Sequence, residues 1–275
     1  MPLKLMYITN DRDVALIAQK YGVERVWIDL ETIGKEDRQK GLNTVKSRHT
    51  VNDIRKIKPC LTTSEMLVRV NSWYEGSTKE IEDVIAAGAD MIMLPYWKTV
   101  DEVKKFTEAV SGRTKTTLLL ETKEAVECID GVLAMGGFDE VHIGLNDLHL
   151  SYGMTFMFEL LADGTVERLC RKFKAAGIPY GFGGIARLGH GDLKAEKVIR
   201  EHYRLGSTRA ILSRSFCDTD KFKDKAEIDH VFGCEMKRLR AFEEEASKLT
   251  EKELTENQET VRQLVAQIVQ KKMGA

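Results

Sequence analysis

Apolar residues along this chain alternate between two rhythms. Short runs rich in apolar and β-branched residues, such as MIML at 91–94 and TTLLL at 116–120, are separated by longer stretches with apolar residues three or four apart. The short runs predict strands at 3–8, 25–30, 65–70, 91–94, 116–120, 140–143, 179–182 and 209–212. The longer stretches predict helices at 11–21, around 51–57, and at 78–87, 99–110, 122–134, 166–176 and 193–203. Asn10 or Asp11 caps the first helix and Ser77 or Thr78 the third. Gly88 and Gly177 stand where helices should stop.

Several strand runs are apolar almost throughout, as strands covered on both faces are. Strands that alternate with helices argue for a parallel sheet. A count of eight fits a closed (β/α)8 TIM barrel, which needs roughly 250 residues, and the chain has 275. Residues 226–272 differ. They are highly charged, with Phe242, Ala246 and Leu249, then Leu254, Val261, Leu264, Val265, Ile268 and Val269 at helical spacing. Thr250 or Thr255 can cap the second of two helices there. The expected organisation is a barrel over 1–225 and a C-terminal helical extension over 226–275, packed outside the barrel or on a neighbouring subunit. A closing barrel helix followed by a solvated tail is the other reading.

Composition narrows the class. A 43% hydrophobic and 31% charged chain is ordinary for a soluble protein with a real core. Net charge is −1, so there is no basic excess for phosphates and nucleic acid is not an expected partner. No window approaches the roughly 20 apolar residues of a membrane helix, and the amino-terminal MPLKLMYITNDRD lacks a signal-peptide core. Five scattered cysteines without a CxxC pair favour neither a disulfide framework nor a zinc knuckle. A cytoplasmic location is expected.

In such a barrel the residues ending each strand at its carboxyl side line one mouth. Those are Asp29 and Glu31, Arg69 and Asn71, Pro95-Tyr96, Glu121, Gly144-Leu145-Asn146-Asp147, Gly181-Phe182-Gly183-Gly184, and Ser213-Arg214. Four carboxylates and an arginine would converge. Carboxylates that close repel unless a cation or protons intervene. Glu121 and Asp147, from adjacent strands five and six, are the best pair for Mg²⁺ or Mn²⁺, which take hard oxygen ligands and water; helix capping is their bland alternative. Arg69 ends an otherwise apolar strand and needs an anion, either Glu121 or another acid of the protein, or a substrate oxygen. The GxGxxA match at 181–186 follows the seventh strand rather than the first, which argues against a dinucleotide site. His142 reads as a core or wall residue, and His149 and His190 as mouth-loop residues.

These segments resemble the HpcH/HpaI aldolase and citrate lyase β-subunit family of the phosphoenolpyruvate/pyruvate barrels. Ile28-Asp29-Leu30-Glu31, Leu67-Val68-Arg69-Val70-Asn71, Gly88-Ala89-Asp90 with Met93-Leu94-Pro95, Leu120-Glu121-Thr122 and Ile143-Gly144-Leu145-Asn146-Asp147-Leu148 occur in family order. The resemblance implies that Glu121 and Asp147 are metal ligands, that Arg69 meets the keto or enolate oxygen, and that the backbone of Gly144, Leu145 and Asn146 holds the substrate carboxylate. Asp29 and Glu31 look like the acidic pair of the citrate-lyase branch. The stretch Glu31-Thr32-Ile33-Gly34-Lys35 carries no histidine where the aldolase branch has its base, and Tyr7-Ile8-Thr9-Asn10 no basic residue where the citrate-lyase branch has one. The expected activity is a metal-dependent carbon–carbon lyase on a 2-oxo acid, with the Asp29/Glu31 region supplying the base and a homo-oligomer, trimer or hexamer, as the assembly. Thioester hydrolysis or phosphoenolpyruvate chemistry on the same barrel, and a non-catalytic metabolite-binding homologue, are the alternatives.

Overall fold

The computed structural model describes residues 1–34, 49–222 and 224–274; Lys35, the last residue of the Glu31–Lys35 stretch after strand two, lies outside them. Eight parallel strands pair in sequence order and close on themselves: β1 (Lys4–Ile8), β2 (Arg25–Asp29), β3 (Glu65–Arg69), β4 (Met91–Leu94), β5 (Lys115–Leu120), β6 (Glu140–Ile143), β7 (Tyr180–Ile185) and β8 (Arg209–Leu212). The helices among the described residues are α1 (Arg12–Lys20), α2 (Val51–Ile57), α3 (Ser77–Ala87), α4 (Val100–Val110), α5 (Lys123–Met135), α6 (Leu145–Ser151), α7 (Glu159–Ala162), α8 (Thr165–Ala175), α9 (Ala195–Leu205), α10 (Lys225–Ala246) and α11 (Glu251–Met273). This is the (β/α)8 barrel that the alternation predicts.

Local chemistry explains the boundaries. Asp11 accepts hydrogen bonds from the N–H groups of Asp13 and Val14 and caps α1, while Thr99 and Thr122 cap α4 and α5. Gly88 ends α3 at φ 102°, as its position predicts. The start of α3 differs from expectation. Gly76 is its N-cap, and the Ser77 hydroxyl instead accepts from the Tyr74 N–H at 2.9 Å. A side chain at Gly76 would meet the Tyr74 ring at 2.5 Å, so the ring would have to move aside to admit one.

The two C-terminal helices form as predicted, with Thr250 capping the second through a capping box with Glu253. Ile228, Phe232, Met236 and Leu239 of α10 are buried in one cluster with residues of β1, α1 and β8. Val261 and Val265 of α11 join the main core, and Asn257 donates to the buried Glu201 of α9 at 2.9 Å. No helix among the described residues is long and apolar enough to cross a membrane.

Strand alternation splits the core in two. Val26, Ile28, Met66, Val68, Ile92, Leu118, Leu120, Val141 and Ile143 face the helices. Met6, Trp27, Leu67, Met91, Met93 and Leu119 fill the barrel centre. Below that centre the inward rows begin with charges. Arg25 pairs with both oxygens of Glu140 (3.0 Å from Nη2 to Oε2) and with Glu65 at 2.9 Å, and Arg209 reaches Glu140 at 2.6 Å. Arg25 and Glu140 are 2% and 3% exposed.

Removing Glu140 would strip the buried Arg209 of its carboxylate and leave Arg25 with Glu65 alone. Glu140→Ala is expected to lower unfolding stability by about 3–5 kcal/mol, measured by urea denaturation; a loss below 1 kcal/mol would show the cluster to be dispensable.

Two buried histidines set an acid limit. Burial, aided by the nearby Arg209 and Arg25 charges, holds His142 down to about 4 despite its hydrogen bond to the Gly183 carbonyl. Burial, with His142 nearby, holds His202 at about 3. Both are neutral in the fold but take protons near 6.5 when unfolded. Their contribution is therefore complete above that value and is lost as pH falls from about 6.5 toward 4. Between pH 7.5 and 5 each is expected to remove about 2 kcal/mol. His142→Gln should flatten the pH profile of unfolding free energy by that amount.

Candidate functional site

The inward rows that begin with ion pairs end at the carboxyl side of the strands with another charged set. Counting by twos, Arg25 and Trp27 lead to Asp29, Glu65 and Leu67 to Arg69, Thr117 and Leu119 to Glu121, and Glu140 and His142 to Gly144. Asp29 and Arg69 are register partners across β2 and β3, so their side chains meet directly. Arg69 Nε donates to Asp29 Oδ1 and Nη2 to Oδ2, both at 2.8 Å, and Nη1 lies 3.3 Å from Glu31 Oε2. The guanidinium carbon sits 5.0 Å from the centre of the Trp27 ring. Burial disfavours the charge on Arg69, but the fields of Asp29 and Glu31, the Asp29 hydrogen bonds and the field of Glu121 outweigh it and raise its pKa. Of the partners open to Arg69 in the sequence, the structure thus selects Asp29 and Glu31.

The segment after β2 is pinned by Asn71. Its side-chain oxygen accepts from Thr32 N (2.8 Å), Ile33 N (2.9 Å) and the Thr32 hydroxyl (3.3 Å), and its amide nitrogen donates to Glu80 at 2.8 Å. His49 is a mouth residue that the motif reading passes over. Its Nδ1 accepts the Asp29 N–H at 3.0 Å. It lies 20 residues beyond Asp29 in a segment without a motif, so only this tertiary contact reveals it.

Glu121 follows β5 and is buried. Its Oε1 accepts the Tyr96 N–H at 3.0 Å. A Cβ built on Gly144 would come within 2.8 Å of Glu121 Oε2 and 2.9 Å of Glu121 Cβ, so only glycine lets that carboxylate lie against the end of β6. Gly144 donates its own N–H to Leu120 at 2.8 Å and serves as N-cap of α6. Of the predicted amide set, then, those of Leu145 and Asn146 open the helix, where first-turn N–H groups lack partners within it. The Leu145 side chain is buried and that of Asn146 exposed. Asp147 lies one turn beyond Gly144, and its Oδ1 is buried without a hydrogen-bond partner among the described residues.

That orphaned oxygen is a physical cost unless something meets it. Among the described residues no three His, Cys, Asp or Glu side chains converge on one point. Two carboxylates from neighbouring elements, with water and substrate completing the shell, are what Mg²⁺ takes. Glu121 and Asp147 fit that donor set.

The other candidates lie elsewhere. His149 is buried with Nδ1 3.2 Å from the Leu145 carbonyl of its own helix, and His190 is exposed in the loop after β7. The glycines expected at the mouth, Gly181 to Gly184, are inside β7, which carries a register shift between Gly181 and Gly184. They make room for protein: a Cβ at Gly181 would strike the Arg209 carbonyl at 2.4 Å, and one at Gly183 (φ 53°) Leu145 at 2.7 Å. A hollow of about 650 Å³ at the opposite end of the barrel is lined by Asp90, Arg113 and Lys115. Those charges are paired with Lys58, Glu82 and Glu65, and it is remote from the acidic mouth.

Comparison with known proteins bears on the family and the fold. The profile described as HpcH/HpaI aldolase/citrate lyase matches residues 5–178. No curated protein matches the chain. Among solved structures, an HpcH/HpaI aldolase from Desulfitobacterium hafniense DCB-2 superposes with a TM-score of 0.60 at 16% identity, covering 77% of this chain and 86% of that one. An HpcH/HpaI aldolase/citrate lyase family protein from Burkholderia cenocepacia J2315 gives 0.60 at 16%, covering 87% and 94%. The citrate synthase SbnG gives 0.59 at 15%, covering 87% and 94%. At these identities the likeness speaks for the fold.

Gly144→Ala tests the packing at the mouth. The added methyl is expected to displace the Glu121 carboxylate and to weaken Mn²⁺ binding by roughly tenfold, read by calorimetry on the purified protein. Unchanged affinity would mean that Glu121 does not need its present seat.

Proposed function

The chain belongs to the HpcH/HpaI aldolase/citrate lyase family, and from that membership we propose that it is a metal-dependent carbon–carbon lyase acting on a 2-oxo acid or a related carboxylate. The observation that carries this reading is the seat of Glu121 over Gly144, one helical turn from the unpartnered Oδ1 of Asp147.

Glu121 and Asp147 would hold Mg²⁺ or Mn²⁺. When bound, that cation supplies Lewis-acid polarisation of the substrate's keto oxygen. Arg69 donates two hydrogen bonds, both to Asp29, and its Nη1 is ion-paired with Glu31 at 3.3 Å. Its remaining N–H groups would meet negative charge growing on the substrate oxygen, in a mouth where that charge is poorly screened. Asp29, bonded to Arg69 through both oxygens, holds the guanidinium plane in place. The amides of Leu145 and Asn146 take the substrate carboxylate. Glu31 makes the longer contact with Arg69, 3.3 Å against 2.8 Å, so we assign proton transfer to Glu31 and anchoring to Asp29. A homo-oligomer, trimer or hexamer, is the assembly expected from the resemblance, and a cytoplasmic location is the one expected from the cysteine usage and amino-terminal sequence.

The direct test is pyruvate release from a panel of 4-hydroxy-2-oxo acids with Mg²⁺, then with a chelator. Release that needs the metal supports the reading, and no release from any member counts against it. Glu121→Gln and Asp147→Asn should each weaken Mn²⁺ binding by roughly 100-fold or more while leaving the circular-dichroism spectrum unchanged. If both variants keep the metal and full activity, the site lies elsewhere.

A further inference from the structure

Two non-glycine residues among those described have positive φ, Tyr96 at 51° and Ser111 at 52°. Ser111 is the C-cap of α4, where a left-handed residue is ordinary. Tyr96 has no such excuse. It follows Pro95 at the end of β4, in a conformation that a bulky side chain disfavours. Its N–H is the donor to Glu121 Oε1 at 3.0 Å. A second tie holds the same turn: the hydroxyl of Thr122, next to Glu121, donates to the Trp97 carbonyl at 2.8 Å, and Trp97 is buried. The strained turn after β4 is thus tied to the end of β5 by two hydrogen bonds.

The consequence lies in how Glu121 is turned. β5 stands between β4 and β6. Oε1 is held on the β4 side by the Tyr96 amide, while Oε2 lies on the β6 side, where a Gly144 side chain would touch it at 2.8 Å. The helix that carries Asp147 begins on that side.

We propose that Tyr96 is a positioning residue: its left-handed backbone aims an amide at Glu121 Oε1 and so turns Oε2 toward Asp147, setting the geometry in which the two carboxylates share a cation. This rests on the metal reading of the site. The backbone conformation, and not the phenol ring, is the part that acts.

Three substitutions separate those possibilities. Glycine and asparagine accept the left-handed region, and a β-branched residue resists it. Mn²⁺ affinity of the full chain is measured by electron paramagnetic resonance, without substrate, for Tyr96→Gly, Tyr96→Asn and Tyr96→Val, with near-ultraviolet circular dichroism as the folding control. The glycine and asparagine variants are expected within about twofold of the parent, and the valine variant roughly tenfold or more weaker. Valine binding like the parent overturns the proposal, as does equal loss in folded glycine and asparagine variants. The latter comparison decides even if the valine variant does not fold. A parent that binds no Mn²⁺, or a Glu121→Gln variant that binds as well as the parent, fells the metal reading and this proposal together. Normal Glu121-dependent binding with no preference among the Tyr96 variants fells this proposal alone.

Discussion

A closed eight-stranded barrel turns every second strand residue into a space that water barely enters, and each charge in those rows must find its counter-charge there. This constraint governs both ends of the molecule. At the amino-terminal end it is met within the protein, as Arg25, Arg209 and Glu140 form a cluster linked through Arg25 to Glu65. In the middle it is avoided, because Met6, Trp27, Leu67, Met91, Met93 and Leu119 carry no charge. An unpaired ion in such surroundings would cost several kcal/mol, so the layering from charged to apolar to charged is a packing necessity before it is a functional arrangement.

At the carboxyl end the same rows reach Asp29, Arg69 and Glu121, and the turns beyond add Glu31 and Asp147. Arg69 answers Asp29 and Glu31. Glu121 is oriented by a backbone amide, and one Asp147 oxygen is buried without a hydrogen-bond partner. Carboxylates gathered in a poorly hydrated opening favour a cation, and an arginine braced by two acids offers its remaining donors in a fixed plane. The enolate chemistry we propose draws on those groups, while the fold draws on the balanced cluster at the other end.

Absent side chains make room for the protein's own groups. Gly144 leaves space for Glu121, and Gly183 for Leu145. The register shift in β7 lets a chain of glycines follow β8 while the Gly183 carbonyl bonds His142 at 3.1 Å. Strain at Tyr96 belongs to the same economy of space, since the chain must turn sharply after β4 to bring an amide to the neighbouring strand's end.

The fold was legible because periodicity is local. Alternating runs predict eight strands and their helices, Gly88 and Asp11 mark ends by their own backbone and capping chemistry, and β4, β6 and β8 begin and end where the pattern predicts. The candidate residues Asp29, Glu31, Arg69, Glu121 and Asp147 were visible for the same reason, as polar residues where apolar strands stop. What tertiary structure alone decided was pairing. That Arg69 faces Asp29 follows from the β2–β3 register, that Glu121 accepts its hydrogen bond from Tyr96 follows from the turn after β4, and that His49 meets the Asp29 amide is a tertiary contact no local pattern encodes. The glycines at 181–184 show the same division: their presence after a strand suggests an open mouth, yet the β7–β8 shift places them inside the sheet. Spacing along a chain determines which way a side chain points within its own element, but which neighbour it meets depends on register and closure, and those are properties of the assembled barrel.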